Sequence, residues 1–218
     1  MSLSVAAMCG LHGCPDSAGV YDDFEGKAEQ YEPVVLADAD IPDMALAGCT
    51  VDPSVCEIDG DYLLTLATQI DPGRPVQFRV TATYDGDSRM LDWTLIPLRQ
   101  KCDDGADCAA DDPRRLEDLP DGAINPDPVL VGEDGSFSID FGQATVPGDG
   151  NAISGSPIVA TLILNGRIND DRSMCGNFEG ALIEPFPFDL VNEMNNFGTT
   201  FLDEGVRAGE VIANDRCP

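Results

Sequence analysis

An all-β fold, either a two-sheet sandwich or a flattened barrel of about six to nine strands, follows from three features of the chain. Apolar and polar residues alternate over several short runs, Asp-Gly and Pro-Gly pairs separate those runs, and long amphipathic helices are missing. Glycine (22) and proline (16) are abundant among the 218 residues, which suits short strands joined by tight turns. Hydrophobic residues make up 43% of the chain, enough for a buried core.

The strands are expected in order from Asp59. Tyr62, Leu64 and Leu66 fall on one face of the first, with Thr65 and Ala67 on the other. Val76, Phe78, Val80 and Ala82 alternate against Gln77, Arg79, Thr81 and Thr83 in the second. Asp85-Gly86 marks a hairpin into a third, carried by Leu91, Trp93 and Leu95 and ending near Pro97. Phe137, Ile139 and Phe141 begin a further strand, and residues 158–168 and 178–183 supply two more. The best helical segment is residues 113–119, with a short turn expected at 190–195.

A repeat underlies this order. Asp59-Gly60-Asp61-Tyr62 and Asp134-Gly135-Ser136-Phe137 lie 75 residues apart, and the same offset relates Leu64 to Ile139, Leu66 to Phe141 and Pro72-Gly73 to Pro147-Gly148. Each half reads as a three-stranded meander opened by Asp-Gly and punctuated by Pro-Gly. Duplication explains the match, as does the frequency of these turn pairs in any β protein. Either way, two meanders that face each other or close as a barrel bury their apolar faces and reduce free edges.

The charge balance narrows the partners. Forty Asp and Glu against 12 Lys and Arg give a net charge of −28, which repels nucleic acid and anionic lipid surfaces. Solubility is the plainest use of such a charge.

The N-terminus suggests a destination. Residues 3–13 are apolar or small and uncharged apart from His12, and an acidic run follows Cys14. Leu11-His12-Gly13-Cys14 resembles the lipobox of a bacterial lipoprotein, with Leu at −3, a small residue at −1 and Cys at +1. The resemblance covers the first 14 residues and departs from the pattern at His12 and in lacking a basic segment before it, since the first Lys is Lys27. It implies a signal-peptide remnant at 1–13, a lipid on Cys14 that anchors the chain to a membrane, and a place in the cell envelope, periplasmic or at the outer membrane, or else secretion. A soluble N-terminal strand is the alternative. Residues 14–48 then form an acidic tether, within which Val34-Val35-Leu36 offers one edge strand. The body, 49–218, is similar in its Asp-Gly-x-aromatic openings, Pro-Gly turns and Cys-Gly turn to the β-rich envelope lipoproteins of Gram-negative bacteria.

Of eight cysteines, Cys9 leaves with the signal and Cys14 takes the lipid, so six remain for disulfides in an oxidising compartment. Cys49–Cys56 and Cys102–Cys108 are each close in sequence around turn-rich segments, which leaves Cys175 with Cys217 to pin the C-terminal tail. A zinc site is the rival reading, weakened by the lack of any C-x2-C spacing.

Candidate chemistry is sparse. Without residues 1–13 the protein contains no histidine, which excludes a Ser-His-Asp triad, a Cys-His pair and His-ligated metals. No glycine-rich phosphate-binding motif occurs. Glu179 and Glu184 are the candidates for a carboxylate-only hydrolase. The best positive site is calcium within the insertion at 101–128, where Asp103, Asp104, Asp107, Asp111 and Asp112 lie within ten residues. A Cys102–Cys108 staple would gather those oxygens, and the alternative is a solvated acidic loop. Phe186-Pro187-Phe188 offers an apolar knob for a ligand or partner. The expected function is that of a non-enzymatic envelope lipoprotein binding a ligand or another envelope component. The alternative is a structural or adhesive surface module whose acidic loop needs calcium.

Overall fold

The computed structural model describes residues 58–170, 172–215 and 217. The expected lipidation at Cys14, the tether at 14–48 and the Cys49–Cys56 pair lie outside the described residues.

The described chain is all-β. Nine strands form one antiparallel sheet: β1 (Gly60–Ala67), β2 (Val76–Asp85), β3 (Met90–Pro97), β4 (Val129–Leu130), β5 (Ser136–Val146), β6 (Ile158–Asp170), β7 (Ser173–Glu184), β8 (Phe188–Leu190) and β9 (Asn196–Leu202). The order is β4-β3-β2-β1-β9-β7-β6-β5, with β8 beside β7. Both expected meanders form, as β1–β2–β3 and β5–β6–β7. They do not face each other as separate sheets. Strand β9 pairs with both β1 and β7 and splices the meanders into one continuous surface.

That surface curls until its two ends nearly meet. The ends, β4 and β5, are consecutive in the chain, and the turn between them is held by Val131 N–H donating to Arg89 O (2.9 Å) and Gly132 N–H to Ser136 O (2.7 Å). Trp93 on β3 meets Phe137 on β5 edge-to-face, with ring centroids 5.7 Å apart. The result is a nearly closed barrel that hides most strand edges.

The inward residues are those the alternation predicts. Tyr62, Leu64 and Leu66, then Val76, Phe78, Val80 and Ala82, then Leu91, Trp93 and Leu95 all enter one core with Phe137, Ile139, Leu164 and Phe178. A second, smaller cluster sits outside the barrel, where Leu63 on the other face of β1 packs with Leu98, Leu202 and Ala208. The insertion and the C-terminal segment thus cover the outer face of β1. Disulfides join Cys102 to Cys108 and Cys175 to Cys217, as the spacing suggested. The second closes 42 residues and contributes on the order of 3–4 kcal/mol in the chain-entropy account.

The expected helix at 113–119 is absent, and turns replace it. Leu116 adopts a left-handed φ of 59°, which a helix does not tolerate. Its N–H donates to Arg99 O (2.7 Å), and Arg99 N–H donates to Glu117 O (2.8 Å). Pairing with the chain just past β3 thus satisfies the backbone that a helix would have satisfied internally. The short turn expected at 190–195 is present as a 3-10 turn, Asn192–Met194.

Candidate functional site

The two ends of the barrel are filled differently. At one end large rings pack in pairs, Trp93 against Phe137 and Tyr62 against Phe201 (centroids 5.2 Å apart), with Tyr62 Oη donating to Ile58 O (2.8 Å). Gly166 on β6 faces Gly176 on β7 directly across the ladder. Their missing side chains leave a bare strip of backbone that the rings of Phe137 and Phe197 cover. A Cβ on Gly166 would stand 2.5 Å from Phe137 Cζ and 2.7 Å from Phe197 Cζ.

At the other end the inward residues of β5 and β6 are smaller. Strand β5 carries an extra residue between Asp140 and Gln143, a β-bulge. Gly142 takes a φ of 55° there, and its N–H donates to the Asp140 carboxylate at 2.7 Å. The bulge moves the inward set of β5 from Phe137 and Ile139 to Ala144 and Val146. Ala144 then lies opposite Ala160 on β6, so two methyl groups meet where the plugged end has rings.

A cavity of about 100 Å³ results. Its wall runs from Leu64, Leu164 and Phe178 in the middle of the barrel to Ile153 and Phe186 at the rim, and no polar atom is exposed to it. Asn151, the one buried amide in the wall, is occupied elsewhere. Its Nδ2 donates to Ser154 Oγ (2.8 Å) and Ser156 O (2.7 Å), and its Oδ1 accepts from Ile153 N–H (3.0 Å).

One wall of the cavity hangs on side chains rather than on a strand ladder. Strand β9 pairs with β7 only from Asn196 to Gly198, and β8 takes over at Gly180–Leu182. The seam between β1 and the β8 segment is closed by Gln69 and fully buried Asn195. Asn195 Oδ1 accepts from Gln69 N–H (2.8 Å), and its Nδ2 donates to Val191 O (2.6 Å) and Gln69 Oε1 (3.2 Å). Gln69 Nε2 donates to Asp189 O (3.1 Å). Leu190 of this flap lines the cavity, while Ile183, Phe186, Phe188, Val191 and Met194 on or beside it are exposed. Of the expected Phe186-Pro187-Phe188 knob, Phe186 is part of the cavity rim.

The acidic insertion is organised around cations of its own. Arg114 donates to Asp103 (2.9 and 3.1 Å) and to Asp112 (2.8 and 3.1 Å), and Lys101, its side chain only 7% exposed, pairs with Asp107. Asp104 lies in the 3-10 turn Asp103–Gly105, and Asp111 is exposed. The loop thus turns Asp103 and Asp112 onto one guanidinium and Asp107 away to the lysine. Among the described residues no group of three or more His, Cys, Asp or Glu is gathered for a metal ion. Glu179 and Glu184 are both exposed on β7, opposite Ile163 and Val159. Five residue steps along a strand separate them by roughly 15 Å, beyond the about 5–9.5 Å that glycoside hydrolysis requires.

Hydrogen bonds from the Arg114 guanidinium, then from its backbone N–H, hold the Asp112 carboxyl down at about 2, against an ordinary 3.8. The same guanidinium lowers Asp103. A carboxylate depressed in the folded state contributes stability that is complete above its ordinary value and is lost as pH falls through its folded value. Arg114→Gln is therefore expected to melt slightly below the wild type at neutral pH. The gap should hold down to pH 4 and close between pH 4 and 2, as thermal melts across that range would record. A gap independent of pH would refute the clasp.

No family model matches the chain, and no curated protein or solved structure matches it.

Proposed function

We propose that this protein is a non-enzymatic binding module of the bacterial cell envelope, held to a membrane by a lipid on Cys14 and receiving an apolar ligand inside its barrel. The observation that carries the binding role is the cavity itself. One end of the barrel is plugged with rings, while the other keeps an all-carbon hollow that reaches the surface at Phe186. A wall with no exposed polar atom suits holding a hydrophobic group and has nothing with which to move protons or stabilise charge. The envelope role rests on the lipobox resemblance and gains support from the two disulfides, which belong to an oxidising compartment.

The test is the mass of the protein purified from its native membrane, taken first under native and then under denaturing conditions. A bound ligand adds mass in the native spectrum that denaturation removes. Processing before Cys14 with an acyl-glyceryl group and three disulfides sets the expected denatured mass. An identical mass in both spectra would overturn the binding role, and an unmodified Met1 with free thiols would overturn the envelope assignment.

A further inference from the structure

We infer that the cavity takes the terminal segment of a single unbranched alkyl chain, carried by an amphiphile whose head is uncharged or cationic. This rests on the binding role proposed above and names the class of ligand.

Shape is the first argument. On β6 the wall follows Leu164, Leu162, Ala160 and Ile158 in turn, six residue steps and roughly 20 Å of strand. A volume of about 100 Å³ spread along such a wall is narrow. A hollow drawn out along one strand accommodates an extended alkyl chain. The fully apolar wall requires that the inserted part carry no polar group, because any such group would lose its water without gaining a partner.

The rim supplies the second argument. Phe186 both lines the cavity and stands 50% exposed, and Phe188, two residues further along the same segment, is exposed as well. A chain longer than the hollow therefore finds a hydrophobic track on which its proximal methylenes lie while the head stays in water. A compact ligand enclosed by the barrel would leave that track without a use.

Charge at the rim decides the head. Glu184 and Asp189 stand exposed, and Asp71 half-buried, on the segments that border the mouth. Arg74 is the cation among those segments, and it pairs with Asp71 at 3.8 Å. The whole chain carries −28. A carboxylate, sulfate or phosphate monoester head would approach against that field, whereas a sugar or an ammonium would not.

The experiment uses the purified full chain and three probes below their micelle concentrations: dodecyl maltoside, dodecyltrimethylammonium and dodecyl sulfate. The readout on the wild type is the set of nuclear Overhauser contacts from the terminal methyl of dodecyl maltoside. Contacts to the methyls of Leu162 and Leu182 are expected, and contacts confined to Phe186 and Met194 would overturn the inference by placing the chain outside. Calorimetry should find the maltoside and the ammonium binding at least tenfold more tightly than the sulfate, and equal or reversed affinities would overturn the assignment of the head. Ala160→Phe and, from the facing strand, Ala144→Leu each fill the hollow and should abolish maltoside binding while the protein stays folded. Retained affinity in either folded variant would overturn the cavity as the site. Cyclohexane separates the two levels of the argument. If it produces shifts at Leu162 and Leu182 while all three amphiphiles fail, the alkyl-chain inference falls and the binding role stands. If neither it nor the amphiphiles bind, both fall.

Discussion

Trp93→Ala is expected to destabilise the protein by about 3–5 kcal/mol. For a chain of this size that corresponds to a fall of roughly 6–20 °C in Tm. Trp93 is 1% exposed, is among the largest fully buried side chains, and bridges the two ends of the sheet through Phe137. Its loss empties the plugged end of the barrel and removes the ring contact by which the curled sheet nearly closes. The indole N–H has no hydrogen-bond partner among the described residues. A buried donor without a partner is itself unfavourable, so Trp93→Phe should give back part of what it loses in volume. The pair separates packing from polarity: calorimetric melts should place Trp93→Phe within about 1.5 kcal/mol of wild type and Trp93→Ala far below. Equal losses would mean that the N–H, not the ring volume, sets the stability of this end.

Gly176→Ala should cost about 1–3 kcal/mol or more, a large effect for one added methyl. The new Cβ would lie 2.1 Å from Asn165 O and 2.8 Å from Gly166 Cα, both backbone atoms of the neighbouring strand, and 2.9 Å from Phe197 Cε1. Backbone held in a ladder does not yield as a side-chain tip does, so β6 and β7 must separate locally. Gly73→Ala is the control. In the β1–β2 turn the nearest atom would be Asp71 Oδ1 at 3.4 Å, an ordinary contact, and the change should fall within about 0.5 kcal/mol of wild type. Denaturant unfolding of the two variants side by side tests the point. Similar stabilities would show that the strip between Phe137 and Phe197 is not closely packed.

The two glycines illustrate how far a linear reading reaches. Nothing in the spacing of Gly166 and Gly176 marks them as partners, because their pairing depends on the register of β6 against β7. The same holds for Ala144 and Ala160. Phe137, Ile139 and Phe141 are legible as an alternating strand, but the bulge at 140–143 then reverses which positions face inward. A pattern read with a fixed period of two cannot anticipate that reversal, and the cavity lies on its far side. Asn195 and Gln69 are equally silent in sequence, since 126 residues separate them and only the sheet order brings their amides together.

The acidic insertion shows the opposite difficulty. Its carboxylates are conspicuous in sequence, and their number invites a cation. The cations that meet Asp103, Asp107 and Asp112 come from the chain itself, from Arg114 and Lys101, whose partners depend on how the loop closes on its disulfide. Composition reports the charge but not the geometry that neutralises it.

What the sequence by itself determined is the local and periodic part: the all-β class, the inward faces of β1, β2 and β3, the two three-stranded meanders, and the Cys102–Cys108 and Cys175–Cys217 pairs. These follow from side-chain alternation, turn chemistry and cysteine counting, each of which acts over a few residues or over the whole chain at once. The tertiary structure decided the rest: the splice through β9, the near closure at β4 and β5, the aromatic plug at one end and the hollow at the other. Those features arise from register, bulges and curvature, which are set by pairings between distant strands. The energy of such pairings depends on partners that no local window contains.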